Sequence, residues 1–349
     1  MVPETPLVIA VTGLNAIDSP GPGVAVIRAI REGMGRPVRI IGLAYENLEP
    51  GIYMDGICDK TYQISYPAAG AEILYNHIKA IHEKEKLDII IPNFDAELLN
   101  FIALSPRLTA LGIHSFLPTL EMFNARDKVN LYAFGEKHNL FVPKDRTIYT
   151  VREIPFVAEE VGYPLVVKGK YYEAAVCYTL EQAQKAFYKI SATWGTPIII
   201  QQFINGTEIN IAALGDGEGN TISIIPMRKM YITDKGKAWA GITLEDPLLL
   251  KLAQDFVAAT NWRGGFELEV MRTVNNELYI MEINPRFPAW IYLSAGAGQN
   301  QPAALVRMAL GENVPAFTSY DVGKLFIRYA WDMIVDVSRF QQFSAFGQI

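Results

Sequence analysis

The first third of the chain alternates apolar, strand-like runs with segments that repeat apolar residues at helical spacing. Short runs rich in Val and Ile predict buried strands, whereas apolar residues at intervals of three and four predict amphipathic helices. The predicted strands cover residues 6–13, 38–45, 87–94 and 113–118, and the predicted helices cover residues 23–33, 71–86 and 95–112. Because strands that alternate with helices favour a parallel open sheet, we predict an α/β domain that ends near Pro118.

Beyond Pro118 several strand-like segments follow one another without a helix between them, which favours an α+β arrangement with mostly antiparallel strands. Extended segments are predicted over residues 164–179, 197–204, 207–216, 221–232 and 236–243, with helices over residues 180–190, 246–260 and 301–311. The tail from Val314 predicts a long strand or a hairpin, and its end has no assigned structure or role.

Residues 264–287 predict a single β-hairpin with a two-residue loop at Asn275-Asn276, because Asn tolerates the positive φ that such loops need. With this loop Glu269 faces Glu282 directly, and Glu267 faces Asn284. Side chains alternate between the two faces of a strand, so the opposite face is apolar. The predicted apolar face consists of Phe266, Leu268, Val270, Met281 and Ile283.

The other face of this hairpin is acidic. Like charges directly opposite each other destabilise a sheet by roughly 0.2–1 kcal/mol, so a compensating group is expected. A solvated outer face is one interpretation, but such faces usually mix charges, and this one carries acid and amide groups before Arg286. Oxygen ligands on adjacent strands suit Mg²⁺, which typically takes one or two carboxylates together with substrate phosphates. The hairpin therefore predicts a metal site beside a nucleotide.

Composition narrows the class of protein. The chain has 349 residues, half of them hydrophobic, with 37 acidic and 31 basic side chains and a net charge of −6. This length supports a large core and two or three domains. Because the basic residues form no stripe, nucleic acid is not expected as a partner.

Cysteine and histidine usage suggests neither a disulfide framework nor a zinc site. Cys58 and Cys177 lie far apart without metal-ligand spacing. The His residues are interpreted as structural, since none accompanies a Ser or Cys nucleophile; they are His77, His82, His114 and His138. The N-terminal residues lack a basic region followed by an apolar one, and no segment reaches transmembrane length. We therefore predict a cytoplasmic protein without a membrane partner.

Two lysines are candidates for nucleotide phosphates. Lys168 ends a very apolar strand, where an unpaired ammonium group would be costly, so it should meet an anion or reach a cleft. Lys128 lies early on a helix predicted after Pro118, and taken alone it fits an ordinary surface lysine better.

The segment from Gln201 to Glu208 is a candidate for the nucleoside. The Gln201 and Gln202 amides can donate and accept, and Phe203 and Ile204 can offer backbone groups and an apolar wall to a planar base. Glu208 would accept from ribose hydroxyls. A strand that simply ends with polar residues is the alternative.

The order of these motifs resembles the ATP-grasp superfamily, in the branch of carbamoyl-phosphate synthetase, biotin carboxylase and amino-acid ligases. The resemblance covers roughly residues 1–315, and the final hairpin is its most specific part. It implies a Rossmann-like pre-ATP-grasp domain, which does not bind NAD, followed by a two-lobed ATP-grasp fold. The implied limits are 1–118 for the first domain, 119–200 for the small lobe, 201–315 for the large lobe with the metal site, and 316–349 for an extension of unassigned role.

The resemblance also implies roles for the site residues. Lys128 and Lys168 would contact the ATP phosphates, and Gln201 would approach the adenine amino group. Arg286 would face the transferred phosphoryl group. The backbone contacts to adenine would come from Gln202, Phe203 and Ile204, the ribose contact from Glu208, and the Mg²⁺ ligands, with Mn²⁺ as an alternative metal, from Glu269, Glu282 and Asn284. Glu267 lies outside the usual motif and is left out of the metal set.

This sequence departs from the family pattern in two places. A glycine-rich loop usually follows the second Lys, but here Tyr171 and Tyr172 occupy that region, and Gln201 stands where many relatives carry Glu. Arg228 and Lys229 are further candidates for the γ-phosphate.

The implied activity is an ATP-dependent carboxylate–amine ligase that forms an acyl phosphate and releases ADP and phosphate. Small-molecule substrates are expected, an amino acid or a peptide among them, and a homodimer is left open. Trp290 and Tyr292 would either line the acceptor pocket or pack against each other as an aromatic pair in the core. A carboxylase or carbamoyl-phosphate-forming enzyme is the alternative within the family, and a nucleotide-binding regulatory protein is the alternative outside it. An NAD-dependent oxidoreductase is disfavoured because no GxGxxG motif follows the first strand.

Overall fold

A computed structural model describes residues 5–15, 20–127, 129–170, 173–233 and 236–349. Lys128, Tyr171 and Tyr172 lie outside the described residues, so the predictions made for them stay predictions. The chain divides into two compact units. Unit 1 comprises residues 1–122, 210–267 and 284–349, and unit 2 comprises residues 123–209 and 268–283. The domain limits predicted from the sequence also stay predictions.

The first part of unit 1 is a parallel sheet with the strand order β3-β2-β1-β4. Strand β1 (Leu7–Val11) lies inside this sheet and is buried along its whole length. Its Ile9 side chain packs into one hydrophobic core and Ala10 packs into another, because successive side chains point to opposite faces. The other strands are β2 (Val38–Ala44), β3 (Lys60–Gln63) and β4 (Ile89–Ile91). The helices are α1 (Gly23–Gly33), α2 (Ala71–Glu85) and α3 (Asp95–Ala110), with 3-10 turns at Pro50–Ile52 and Pro67–Ala69.

Unit 2 contains an antiparallel sheet with the strand order β5-β8-β6-β7. Leu165, Val167 and Ile200 face a core that also takes Phe187 from a flanking helix. The strands are β5 (Asp145–Ile148), β6 (Leu165–Gly169), β7 (Ala174–Cys177) and β8 (Ile198–Gln202). The helices are α4 (Leu120–Ala125), which begins in unit 1, α5 (Leu131–His138), α6 (Ile154–Val161) and α7 (Leu180–Trp194), with a 3-10 turn at Val151–Glu153.

A third, six-stranded sheet has the order β13-β12-β9-β10-β11-β14. Its strands are β9 (Thr207–Asp216), β10 (Thr221–Ile232), β11 (Ala238–Thr243), β12 (Arg263–Arg272), β13 (Leu278–Asn284) and β14 (Leu325–Ile327). The remaining helices are α8 (Pro247–Thr260), α9 (Tyr292–Gly296), α10 (Gln301–Ala309) and α11 (Val337–Phe346). The mixed α/β class predicted from the sequence is confirmed, with one parallel sheet followed by strands that pair antiparallel.

Two local predictions are wrong. The strand predicted over residues 113–118 is reduced to an isolated bridge between Ile89 and His114, because the neighbouring strand β4 is only three residues long. The C-terminal tail continues past β14 into helix α11, and its last residues pair with the edge strand β3. The N–H of Thr61 donates to the carbonyl of Ile349 at 2.8 Å, and the reciprocal hydrogen bond measures 3.0 Å.

No helix in the described ranges is both long and apolar enough to cross a membrane.

Candidate functional site

The hairpin of β12 and β13 closes with a three-residue loop. The N–H of Thr273 donates to the carbonyl of Glu277, and the N–H of Asn276 donates to the carbonyl of Thr273, both at 3.0 Å. Asn276 has a φ of 63°, in the left-handed region that Asn tolerates. The predicted two-residue loop at Asn275-Asn276 is therefore wrong by one residue, because a type I turn followed by a left-handed residue closes this hairpin.

The apolar face of the hairpin agrees with the sequence prediction except at one position. Met281 is only partly buried, whereas Ile280 is fully buried in its place. Buried and partly buried side chains alternate from Leu278 to Met281, and the alternation shifts by one residue before Ile283. Such a one-residue slip moves side chains to the opposite face of the strand. The predicted core positions that are buried are Phe266, Leu268, Val270 and Ile283.

Within unit 1, the polar face is centred on the Glu267 carboxylate. Glu267 is 5% exposed. Its Oε1 accepts from Asn210 Nδ2 and from Trp290 Nε1, both at 2.8 Å, and its Oε2 accepts from Asn284 Nδ2 at 3.0 Å. The predicted juxtaposition of Glu267 and Asn284 is confirmed. Burying a carboxylate is costly unless it is hydrogen-bonded and paired, and these donors meet that requirement.

Arg286 completes this cluster. Its Nη1 lies 3.7 Å from Glu267 Oε2, and its Nη2 donates to Asn284 Oδ1 at 3.3 Å. Its Nε donates to Asp95 Oδ2 at 3.0 Å, and Nη1 also donates to the Phe287 carbonyl at 3.4 Å. The guanidinium group therefore has partners in several directions, which holds its plane in one orientation.

The metal set that the resemblance implies does not include Glu267, although the predicted hairpin pairing sets Glu267 opposite Asn284. This pairing is the feature of the sequence that could have indicated Glu267 as a metal ligand, because a carboxylate and an amide oxygen on adjacent strands are suitable ligands for a hard cation. Glu269 and Glu282 are partly exposed, and their predicted pairing stays a prediction. No cluster of three or more His, Cys, Asp or Glu side chains that could hold a metal occurs among the described residues.

Unit 2 contains a second polar cluster on strands β5, β6 and β8. Lys168 Nζ donates to Gln201 Oε1 at 3.0 Å. Because an ammonium group can only donate, this contact fixes the Gln201 amide with its oxygen toward Lys168. Asp145 is the direct neighbour of Gln201 in the β5–β8 register. Gln201 and Asp145 are 2% and 6% exposed, and within the described residues Gln201 Nε2 and Asp145 Oδ2 have no hydrogen-bond partner.

The remaining nucleoside candidates lie where β8 ends. The Gln202 N–H donates to the Lys144 carbonyl at 2.8 Å, so this backbone donor already has a hydrogen-bond partner within the protein. Ile204 is buried, whereas Phe203 and Glu208 are partly exposed. Their proposed contacts to adenine and ribose remain predictions.

Asp145 provides a test of this cluster by pH. Burial raises the pKa of Asp145 from its ordinary value of 3.8 to about 6, opposed by the charges of Lys168 and Arg146. Since the folded state binds the proton more tightly than the unfolded state, stability falls as pH rises through about 4 to 6. Two pKa units correspond to about 3 kcal/mol. Asp145→Asn should therefore raise the free energy of unfolding at pH 8 by up to about 3 kcal/mol.

Urea unfolding at pH 4 and pH 8 measures this effect, with the exposed Asp255→Asn as the matched control. If Asp145→Asn were no more stable than the wild type at pH 8, the ionised Asp145 carboxylate would not destabilise the folded protein.

The other sequence candidates have local partners. Lys229 Nζ donates to the Gly236 carbonyl at 3.3 Å, and Arg228 is exposed. Trp290 is buried with its indole N–H on Glu267, whereas the Tyr292 hydroxyl contacts Glu32. Trp290 and Tyr292 therefore have different environments and do not form a core pair.

Comparison with known proteins finds a matching family model and similar sequences. A family model described as an ATP-grasp in the biosynthetic pathway with Ter operon matches residues 195–326. The carbamoyl phosphate synthase large chain of Campylobacter jejuni is 27% identical over 229 residues, which cover 61% of this chain and 20% of that relative. The chain thus spans about a fifth of the length of this curated relative.

Solved structures give the same fold. Biotin carboxylase from Campylobacter jejuni, in a β,γ-ATP complex, matches with a TM-score of 0.71 and 18% identity over 91% of this chain and 74% of that chain. The biotin carboxylase domain of Hydrogenobacter thermophilus 2-oxoglutarate carboxylase, a dimer described with MgADP and bicarbonate, gives 0.70 and 17% over 91% and 73%. Residues 195–326 therefore match an ATP-grasp family model, and the fold is that of the solved biotin carboxylases. The chain's relatives include carbamoyl phosphate synthases, and its structural neighbours include biotin carboxylases.

Proposed function

We propose that the chain is an ATP-dependent carboxylate–amine ligase that releases ADP and phosphate. The observation that carries this proposal is the cluster in which Glu267, Asn284 and Arg286 share hydrogen bonds in a buried part of unit 1. A carboxylate and an amide next to a guanidinium group can hold a cation and an anionic phosphoryl group close together.

The nucleotide would be bound by residues proposed from the sequence. Lys168 and Lys128 would contact phosphates, Gln201 the adenine, and Glu208 the ribose. The described cluster supports Lys168, whose ammonium group lies against the Gln201 amide on an adjacent strand. The backbone contacts to adenine are assigned to Gln202, Phe203 and Ile204.

The donor chemistry fits Mg²⁺. We retain Glu269, Glu282 and Asn284 as ligands, with Mn²⁺ as a possible substitute metal, and we add Glu267. Mg²⁺ keeps several waters and takes few protein carboxylates, so a site without an all-protein cage is suitable for it. When bound, it would neutralise charge on the phosphate oxygens.

In the proposed reaction a substrate carboxylate oxygen attacks the γ-phosphorus of ATP, and the bond to the bridging oxygen breaks as ADP leaves with its electron pair. The product is an acyl phosphate. An amine nitrogen then attacks the acyl carbon, phosphate leaves, and the nitrogen loses a proton to solvent. Arg286 would donate hydrogen bonds to the phosphoryl oxygens during both steps, which is electrostatic stabilisation by a preorganised group.

ADP release tests this proposal. Purified protein with MgATP is incubated with pools of amino acids and short peptides, and ADP and AMP are measured for each pool. We expect ADP and phosphate that depend on one pool component, without AMP. Formation of AMP would contradict phosphoryl transfer to a carboxylate, and binding of ATP without turnover in every pool would favour a regulatory protein.

Formation of carboxyphosphate or carbamoyl phosphate is the second candidate. It is favoured by the similarity to a carbamoyl phosphate synthase and by a structural neighbour described with bicarbonate. ADP release that depends on bicarbonate alone would support it over the ligase.

The structural neighbour from Hydrogenobacter thermophilus is also described as a dimer. We propose a homodimer here, which light scattering of the purified chain would test.

A further inference from the structure

Arg286 has an acidic partner that comes from a distant part of the sequence. Asp95 is the first residue of helix α3, four residues after the last residue of β4, and its Oδ2 accepts from Arg286 Nε at 3.0 Å. The Asp95 and Arg286 side chains are 34% and 18% exposed. This contact joins the parallel α/β part of unit 1 to the end of the acidic hairpin within the same unit.

The turn that presents Asp95 is held by a buried carboxylate. Glu97 is 0% exposed. Its Oε1 accepts from the Thr12 hydroxyl at 2.5 Å and from the backbone N–H groups of Asn93 and Phe94 at 2.6 and 2.9 Å. The Tyr45 hydroxyl donates to Oε2. These hydrogen bonds involve residues that follow strands β1, β2 and β4, so they fix the start of α3 relative to the parallel sheet.

The carboxylates of Asp95 and Glu267 both lie near the Arg286 guanidinium group. Asp95 is within hydrogen-bond distance of Nε, whereas Glu267 Oε2 lies 3.7 Å from Nη1. A charge-assisted hydrogen bond from arginine to a carboxylate is normally shorter than that, at roughly 2.7–2.9 Å. Arg286 is therefore hydrogen-bonded to Asp95, whereas its ion pair with Glu267 is too long for a charge-assisted hydrogen bond.

We propose that Asp95 is a positioning residue, which holds Arg286 in place and keeps it from closing onto Glu267. This inference rests on the proposed function, because it assumes that Arg286 faces a phosphoryl group and that Glu267 faces a cation. Loss of the Asp95 charge would release the guanidinium group toward Glu267. Arg286 would then be misplaced for the phosphoryl group, and Glu267 would be a poorer ligand for a cation.

Asp95→Asn tests the proposal by steady-state ADP release at varied Mg²⁺. Misplacement of a catalytic group by about 1 Å can cost about 100-fold, so we expect kcat to fall by about 10–100-fold with little change in KM for the pool component. The Mg²⁺ concentration at half-maximal rate should rise in parallel. The matched control is Glu72→Gln in helix α2. It removes the exposed partner of Arg107, which lies on the same helix as Asp95, and it should change neither kcat nor the Mg²⁺ dependence.

The double variant distinguishes positioning from a general structural effect. If Asp95 acts through Arg286, then Asp95→Asn should cause no further loss of kcat in an Arg286→Ala background, because coupled residues are not additive. Additive losses, or an unchanged kcat and Mg²⁺ dependence in the single variant, would overturn the proposal.

A readout that needs no turnover separates this proposal from the function itself. In ¹⁵N NMR spectra the Arg286 Nε–H signal, assigned by its loss in Arg286→Lys, should exchange slowly with water in the wild type and in Glu72→Gln. It should exchange rapidly in Asp95→Asn. Equal exchange in the wild type and Asp95→Asn would overturn the positioning role, whereas absent ADP release with this NMR difference intact would reject only the ligase.

Discussion

Glu267→Gln should lower the rate of ATP turnover on the order of 10²–10³-fold, because it removes a charge proposed to hold the metal. Glutamine keeps the shape of the side chain but places an amide donor against groups that already donate, namely Asn210, Trp290 and Asn284. The cost in stability should stay within about 1–3 kcal/mol. Initial rates of ADP release, with thermal unfolding as a check on the fold, measure both effects.

Parallel variants decide which carboxylates belong to the metal set. Glu282→Ala should abolish turnover in a folded protein. Glu269→Gln reports on the ligand assigned from the sequence, and Glu267→Gln reports on the one added from the structure. Wild-type turnover in folded Glu267→Gln, together with loss in Glu269→Gln, would return Glu267 to a purely structural role.

Lys168→Ala should weaken MgATP binding by about 10–100-fold. A hydrogen bond to a charged group contributes about 1.5–3 kcal/mol, and each 1.4 kcal/mol is a tenfold change in affinity. The variant also leaves Gln201 Oε1 without its ammonium donor, so the base contact should weaken as well. Isothermal titration calorimetry measures the dissociation constant directly.

The matched control for this experiment is Lys189→Ala, because Lys189 is a highly exposed lysine of the same unit. It should bind MgATP like the wild type. An unchanged affinity in Lys168→Ala would refute the phosphate role of Lys168, and an equal loss in both variants would indicate a nonspecific effect of net charge.

Elements whose apolar pattern is strong and local could be predicted from the sequence. Helix α1 was predicted over residues 23–33 and forms over Gly23–Gly33, because its apolar residues fall on one helical face. Strand β3 (Lys60–Gln63) was missed, since only Thr61 and Tyr62 are buried in it. Its pairing with the end of the chain depends on residues almost 290 positions away, which no local pattern reveals.

The site was predictable in part. The predicted facing of Glu267 and Asn284 is confirmed although the predicted loop was wrong, because the burial alternation along β13 shifts by one residue before Ile283. The hairpin loop was wrong by one residue, because a left-handed Asn276 extends the turn. Asn210, Asp95 and Trp290 contact the cluster from other segments, so their participation requires the folded chain.

The central claim, that a carboxylate is activated by phosphorylation, is tested most directly by trapping with hydroxylamine. The protein is incubated with MgATP, the pool component that stimulates ADP release, and hydroxylamine in place of the unknown amine. The account predicts a hydroxamate of that component in equal amount to ADP, and none with Glu282→Ala. ADP formation without any hydroxamate, or a hydroxamate accompanied by AMP, would contradict it.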